Sequence, residues 1–257
     1  MTEPETYIFV FLDLLELAEL SVESFFLTLL ERIVEQSQGR IVVDSATDTG
    51  YGGFSKFIRR QSEEGWKFIL CFDEFERMSG NPHFDDAFFG YLRSLAYNYN
   101  LAYVTASRRN LYELCLAQDI KTSQFWNIFT TRNLGLMTKD KAIELITVPF
   151  ARAGGRIEER ESELVLESAG THPLFVQVAC YHLFARKEEK ERLDALDYDL
   201  WRDDLYKDSL LHFKYAWQRL SLQEQRALRA LAAEDKPQLR VEVVKSLQAQ
   251  ALITDAP

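Results

Sequence analysis

Positive charge is scarce in this sequence: 30 Lys and Arg stand against 40 Asp and Glu, a formal net charge of -10. The surface as a whole is therefore not a nucleic-acid footprint, because phosphate contacts demand an excess of Lys and Arg. Cysteine is scarce too. Cys71, Cys115 and Cys180 are odd in number, far apart and set in apolar surroundings, which excludes a disulfide framework and a zinc site and predicts buried thiols. No stretch approaches the roughly 20 apolar residues of a membrane span. The acidic start Met1-Thr2-Glu3-Pro4-Glu5 lacks the positive flank of a signal peptide, so a soluble, cytoplasmic protein that avoids membranes is expected. His83, His172, His182 and His212 have no metal-ligand spacing, no G-x-S-x-G elbow occurs, and no Cys has a His partner in an obvious pattern. Zinc and nucleophilic-hydrolase chemistries fall away with them.

What is present suffices for a sizeable core. With 257 residues, 47% of them hydrophobic and 13% aromatic, the chain is long enough for two domains or slightly more. Its first two thirds alternate strand-like and helix-like segments. Tyr7-Ile8-Phe9-Val10-Phe11-Leu12-Asp13 is an apolar run ending in an acid, followed by a helix start at Ser21-Val22-Glu23 with a capping hydroxyl and an early carboxylate. Phe25, Phe26, Leu29, Leu30, Ile33 and Val34 then recur at helical steps until Gln38-Gly39. A second helix is expected from Phe54 to Glu64, after a Gly50-Tyr51-Gly52-Gly53 loop. A third carries Phe84, Phe88, Leu92 and Leu95 on one face behind Asp85 and Asp86. Between these two lies Lys67-Phe68-Ile69-Leu70-Cys71-Phe72-Asp73-Glu74, read as a parallel strand covered on both faces and ending in two carboxylates. Leu101 to Ala106 is another apolar run, ending in Ser107-Arg108-Arg109. Such alternation predicts βα units with right-handed crossovers and a ligand at the strands' carboxyl ends.

An apolar strand ending in Asp73-Glu74 is the pattern of a Walker B strand, whose first acid serves a magnesium ion and whose Glu polarises the attacking water. The unspecific alternative is a core strand that finishes in an acidic turn. The chain resembles a P-loop ATPase of the AAA+ and STAND type, close to ATPases related to origin-recognition and NACHT-like proteins. The resemblance implies Asp73 as the metal residue and Glu74 as the base. It further implies that Ser107 and Arg108, at the position of sensor 1, report on the terminal phosphate of ATP. Gly170-Thr171-His172-Pro173 resembles the family's lid motif, in which the proline packs near adenine and His172 could touch the nucleotide. Apart from the family, Pro173 and Gly170 are simply a good helix start, with His172 in a capping or surface role.

The last third reads as helical. Thr138-Lys139-Asp140 opens a helix that runs through Ile146 and ends near Pro149; others run from Glu161 to Ala169 and from Pro173 to Ala185. The charged run Arg186 to Arg192 and the pair Asp203-Asp204 read as solvated faces. Ser221 to Glu224 forms a capping box, resembling the start of a winged helix with Leu247 to Ile253 as its later helix and strand. From Lys214 onward seven Lys/Arg face five Asp/Glu, a balance of +2 that is too weak for a DNA-binding assignment. The expected division is 1–137 for an α/β core, 138–213 for a helical lid and 214–257 for a partial winged helix.

A P-loop, G-x-x-x-x-G-K-[ST], is missing. Its nearest imitation, Gly50 to Lys56, lacks the Gly-Lys-Ser/Thr ending. In the family's sheet the P-loop strand lies between the sensor 1 strand and a last strand, here Asn133-Leu134-Gly135-Leu136-Met137, so its loss predicts unpaired edges. A fragment of a longer ATPase is the reading favoured. Two functions remain open: an ATP- and magnesium-dependent switch, with a protein partner or oligomer and nucleotide binding weak or absent in this polypeptide; or a non-catalytic scaffold that keeps the ATPase shape.

Overall fold

The computed structural model describes residues 6–16, 21–117, 123–190, 192–233 and 239–253. The chain divides into two compact units, Met1–Thr131 and Arg132–Pro257. In the first, strands β1 (Tyr7–Asp13), β2 (Lys67–Asp73) and β3 (Leu101–Thr105) form a parallel sheet in the order β1-β2-β3. Helices α1 (Val22–Gln36) and α2 (Gly50–Glu63) join the first pair of strands. The short α3 (Glu76–Ser79) and α4 (Asp86–Asn98) join the second, and α5 (Leu111–Ala117) follows β3.

Both crossovers step across the sheet in the same direction. A right-handed connection then carries every intervening helix to the same face, and the core is one-sided. Ile8, Val10 and Leu12 of β1 and Phe68, Leu70 and Phe72 of β2 are buried with the apolar stripes of α1, α2 and α4. Phe25 is the hub, its ring 5.4–5.9 Å from those of Phe26, Phe72, Phe84 and Phe88, a burial that stabilises by about 1.5–3 kcal/mol. The opposite face corrects the expectation of a strand covered on both sides. In register across it stand Phe9, Ile69 and Ala102, then Phe11, Cys71 and Val104; Phe9, Phe11 and Val104 are 58%, 61% and 54% exposed. A helix could reach that face only by a crossover running the other way, and none exists among the described residues.

Two helix boundaries move and one expected strand is not formed. The glycines at 50–53 are the first turn of α2, not a loop before it. Pro149 lies inside α6 (Lys139–Arg152) rather than at its end: a proline forfeits one backbone bond, and the helix carries on to bury Phe150. Asn133 to Met137 forms no strand, since a strand exists only by pairing; the Met137 amide instead donates to the Thr171 carbonyl at 3.1 Å.

In the second unit α6, α7 (Glu159–Ala169), α8 (Pro173–Glu189) and α9 (Ala195–Arg219) close around Ile146, Val165, Val176, Leu183 and Trp201. The Trp201 indole donates to the Ala179 carbonyl at 2.8 Å. The charged run after Ala185 is a solvated face only in part, since Glu188, Glu189, Lys190 and Arg192 are exposed while Arg186 and Lys187 are half-buried. It continues α8, where Lys187 bonds the buried carboxylate of Glu161, 5% exposed, at 2.6 Å and Arg186 pairs with Asp204. Ionic groups this far from water persist only when paired. Helices α10 (Leu222–Ala232) and α11 (Val241–Ala249) share a smaller cluster with Leu220, Leu252 and Ile253. Both arms of the Ser221–Glu224 capping box are formed, while 250–253 adds no strand.

Candidate functional site at the rim of the sheet

The parallel register sets the carboxyl ends of the three strands side by side. Asp13 pairs with Asp73 across β1 and β2, and the backbone of β3 stays tied to β2 past the last ladder pair. The Ala106 amide donates to the Phe72 carbonyl at 2.9 Å, and the Phe75 amide to the Ala106 carbonyl at 3.0 Å. Between these bonds Glu74 turns through the left-handed region at φ 51°, a conformation that costs a non-glycine residue on the order of 1 kcal/mol. The Asp73 Oδ1 accepts from the Glu74 amide at 2.8 Å and anchors the turn. The carboxylate of Glu74 meets Arg108, whose Nη2 lies 2.7 Å from Glu74 Oε1, and Glu76 Oε1 accepts from the Arg108 amide at 3.4 Å.

Four of the residues singled out from the sequence thus share one rim: Asp73 at the end of β2 and Glu74 just after it, Ser107 and Arg108 after β3. Ser107 itself turns away, its hydroxyl donating to the Arg109 carbonyl at 2.7 Å. Two further acids belong to the rim and were not singled out. Asp13 lines up only through strand register, although its place at the end of an apolar run was the available signal. Glu76 belongs to a one-turn helix with no sequence period; its Oε2 is buried without a hydrogen-bond partner.

His172 and Pro173 lie in the second unit. Pro173 is the first residue of α8, and His172, at the cap position, makes no side-chain cap bond. Its ring packs 4.7 Å from that of Phe175. Burial, followed by the neighbouring His212, pushes its pKa below the ordinary histidine value, so the imidazole is neutral at pH 7.

The glycines at 50–53 do not form a cradle. A Cβ on Gly53 would sit 2.3 Å from the Thr47 carbonyl oxygen, so the missing side chain serves backbone packing. Asp48, 3% exposed, is held beneath that helix start by the Asp44 amide and Arg60, and a carboxylate there repels phosphate.

For a metal, no group of three or more His, Cys, Asp or Glu side chains converges among the described residues. Magnesium ordinarily takes one or two carboxylates and fills its octahedron with water and phosphate oxygens. The rim fits that mode, with Asp73 available and Glu76 carrying an orphaned buried oxygen. Burial raises the Cys71 pKa and pushes those of Cys115 and Cys180 up to about 11 and about 12, which disfavours the thiolate.

A parallel sheet with same-sided crossovers in an α/β unit gives this protein the fold of the P-loop ATPases. More particularly, the chain belongs to the family described as Novel STAND NTPase 2, which it matches over residues 1–237. A Walker-type ATPase of Pyrococcus abyssi superposes with a TM-score of 0.59 at 14% identity, over 95% of this chain and 78% of its own. The ORC2 protein of Aeropyrum pernix, solved as ADPNP-ADP complexes, does so with a TM-score of 0.59 at 13% identity, over 97% of this chain and 67% of its own. At such identities the likeness is one of fold. No curated protein matches the chain.

Proposed function

We propose that this chain is the sheet, lid and partial winged-helix portion of an ATP-driven conformational switch, divided at 1–137, 138–213 and 214–257. The observation that carries the reading is the contact between Glu74 and Arg108 at the ends of neighbouring parallel strands. In this reading Asp73 holds magnesium, Glu74 polarises the attacking water, and Ser107 and Arg108 read the terminal phosphate. Arg108 cannot serve phosphate and Glu74 at once. A triphosphate at the rim competes for the guanidinium and frees the carboxylate to act as base. Pro173 and His172 are the residues assigned to the adenine, and neutral imidazole suits an apolar contact.

The phosphates need backbone amides and a Lys that this sequence does not contain, so ATP binding by this polypeptide is weak or absent. Tight binding would require a segment that supplies those groups. Calorimetric titration of Mg-ATP should give no saturable heat with this chain and micromolar binding with a form extended upstream to include such a segment. In the extended form Glu74→Gln should abolish turnover and leave binding intact. Unchanged turnover removes Glu74 from its role, and tight binding by the present chain overturns the account of the phosphate site. A non-catalytic scaffold is the second reading, favoured by the absent Gly-Lys-Ser/Thr ending. An extended form that binds its partner equally with and without ATP would support it.

A further inference from the structure

Glu76, which opens the short α3, has no part in the chemistry assigned above, yet it departs from a well-anchored stretch of backbone. The residue before it, Phe75, is fully buried, its ring 6.0 Å from those of Phe89 and Phe125. The Phe75 amide is tied to the Ala106 carbonyl, and the Arg77 amide donates to the Glu74 carbonyl at 2.8 Å. Arg108 stands on the other side of the rim, on an exposed loop, with 58% of its side chain open to solvent. Of the two residues, Glu76 is the fixed one and Arg108 the one able to move.

The described contacts of the Glu76 carboxylate are all with Arg108. Its Oε1 accepts from the Arg108 backbone amide at 3.4 Å and lies 3.9 Å from the guanidinium Nε. A carboxylate only 23% exposed is costly to bury unless such partners meet it. The two contacts restrict different things. The amide bond fixes where the side chain is rooted and survives any turn of the guanidinium. The Nε contact is a second seat beside the one on Glu74, whose Oε1 lies 2.7 Å from Nη2; a planar fork of five donors can meet both carboxylates at once. We propose that Glu76 is a positioning residue for Arg108, pinning the root of that side chain at the rim and keeping the second seat when the first is given up. The inference rests on the reading of Arg108 as the residue that answers to the terminal phosphate, since an arginine already held in place loses less freedom when it takes that phosphate.

NMR on the full chain without nucleotide tests the hold itself, so failure of the ATPase reading would show in the nucleotide titrations and not here. Glu76→Ala should speed hydrogen exchange of the Arg108 amide about fivefold, the scale of one hydrogen bond, while Glu76→Gln, which keeps a carbonyl oxygen, should stay near the unsubstituted rate. The Ala106 and Phe75 amides, bonded elsewhere, are the internal reference, because a general loosening of the rim would quicken all three together. Glu74→Gln should leave rotation of the Arg108 guanidinium about its Nε–Cζ bond slow, and Glu74→Gln with Glu76→Gln should make it several times faster. If Glu76→Ala fails to fold, the paired glutamine variants decide. Arg108 exchange that is unchanged in Glu76→Ala, or that rises equally at Ala106 and Phe75, overturns the proposal. So does guanidinium rotation as fast in Glu74→Gln alone as in the double variant.

Discussion

Arg108 is 58% exposed and Glu74 20%, so their contact adds under about 1 kcal/mol to stability, as exposed ion pairs do. Its value lies in which partner the guanidinium chooses. Arg108→Ala should leave the thermal midpoint of this chain nearly unchanged, yet lower ATP turnover of an upstream-extended form about a hundredfold, the scale of losing one donor to developing charge. A stability loss as large as the activity loss would make Arg108 a strut rather than a sensor. Neighbouring glycines in α2 separate by sign. Gly53→Ala drives a Cβ into the backbone of Thr47 and Asp48 at 2.3–2.8 Å and should cost about 1–3 kcal/mol. Gly52, with nothing within 4 Å of its Cβ position, should gain about 0.5–1 kcal/mol as Ala through helix propensity. Thermal unfolding of the two variants side by side reads both.

At the scale of elements, α10 and α11 are joined through one carboxylate. Glu224 accepts from Ser246 Oγ at 2.6 Å, from Gln250 Nε2 at 2.9 Å and from the Ser221 amide at 2.7 Å. Burial raises its pKa, but these hydrogen bonds outweigh that and hold it below the ordinary value of 4.5. A carboxyl whose folded pKa is depressed contributes stability that is full above its unfolded value and is lost as pH falls through the folded one. The clasp should therefore persist above about pH 4.5 and open at lower pH. Glu224→Gln should lower the unfolding midpoint at pH 7 and flatten its fall between pH 5 and 3; an unaltered acid limb would show that the clasp does not carry it.

The bare face of the sheet belongs to the whole molecule. Phe9, Phe11 and Val104 form an apolar surface of the kind that soluble monomers rarely leave uncovered. Phe9→Lys with Phe11→Lys should change the stability of this chain by no more than about 0.5 kcal/mol, as changes at exposed positions do, and should cut its binding of an apolar fluorescent dye. If an added upstream segment docks on this face, the same pair should destabilise the extended form by several times as much. Equal effects in both forms would mean that nothing docks on it.

The alternation of apolar runs and amphipathic stretches was enough to place three strands and most of the helices. Strand and helix periods are written in neighbouring residues, and the capping signals Ser21 and Ser221 each close the bond expected of them. The rim acids of β2 were legible for the same reason, since a buried run must end where its carboxylates can reach water. What lies between elements was not legible. Glu76 joins the rim through a one-turn helix too short to have a period, and Lys187 finds Glu161 from 26 residues away. Pairing decides whether 133–137 is a strand, and crossover direction decides which face of the sheet is covered. Local preference fixes what each segment becomes; only the tertiary structure fixes which partners it meets, because register, handedness and burial are properties of pairs.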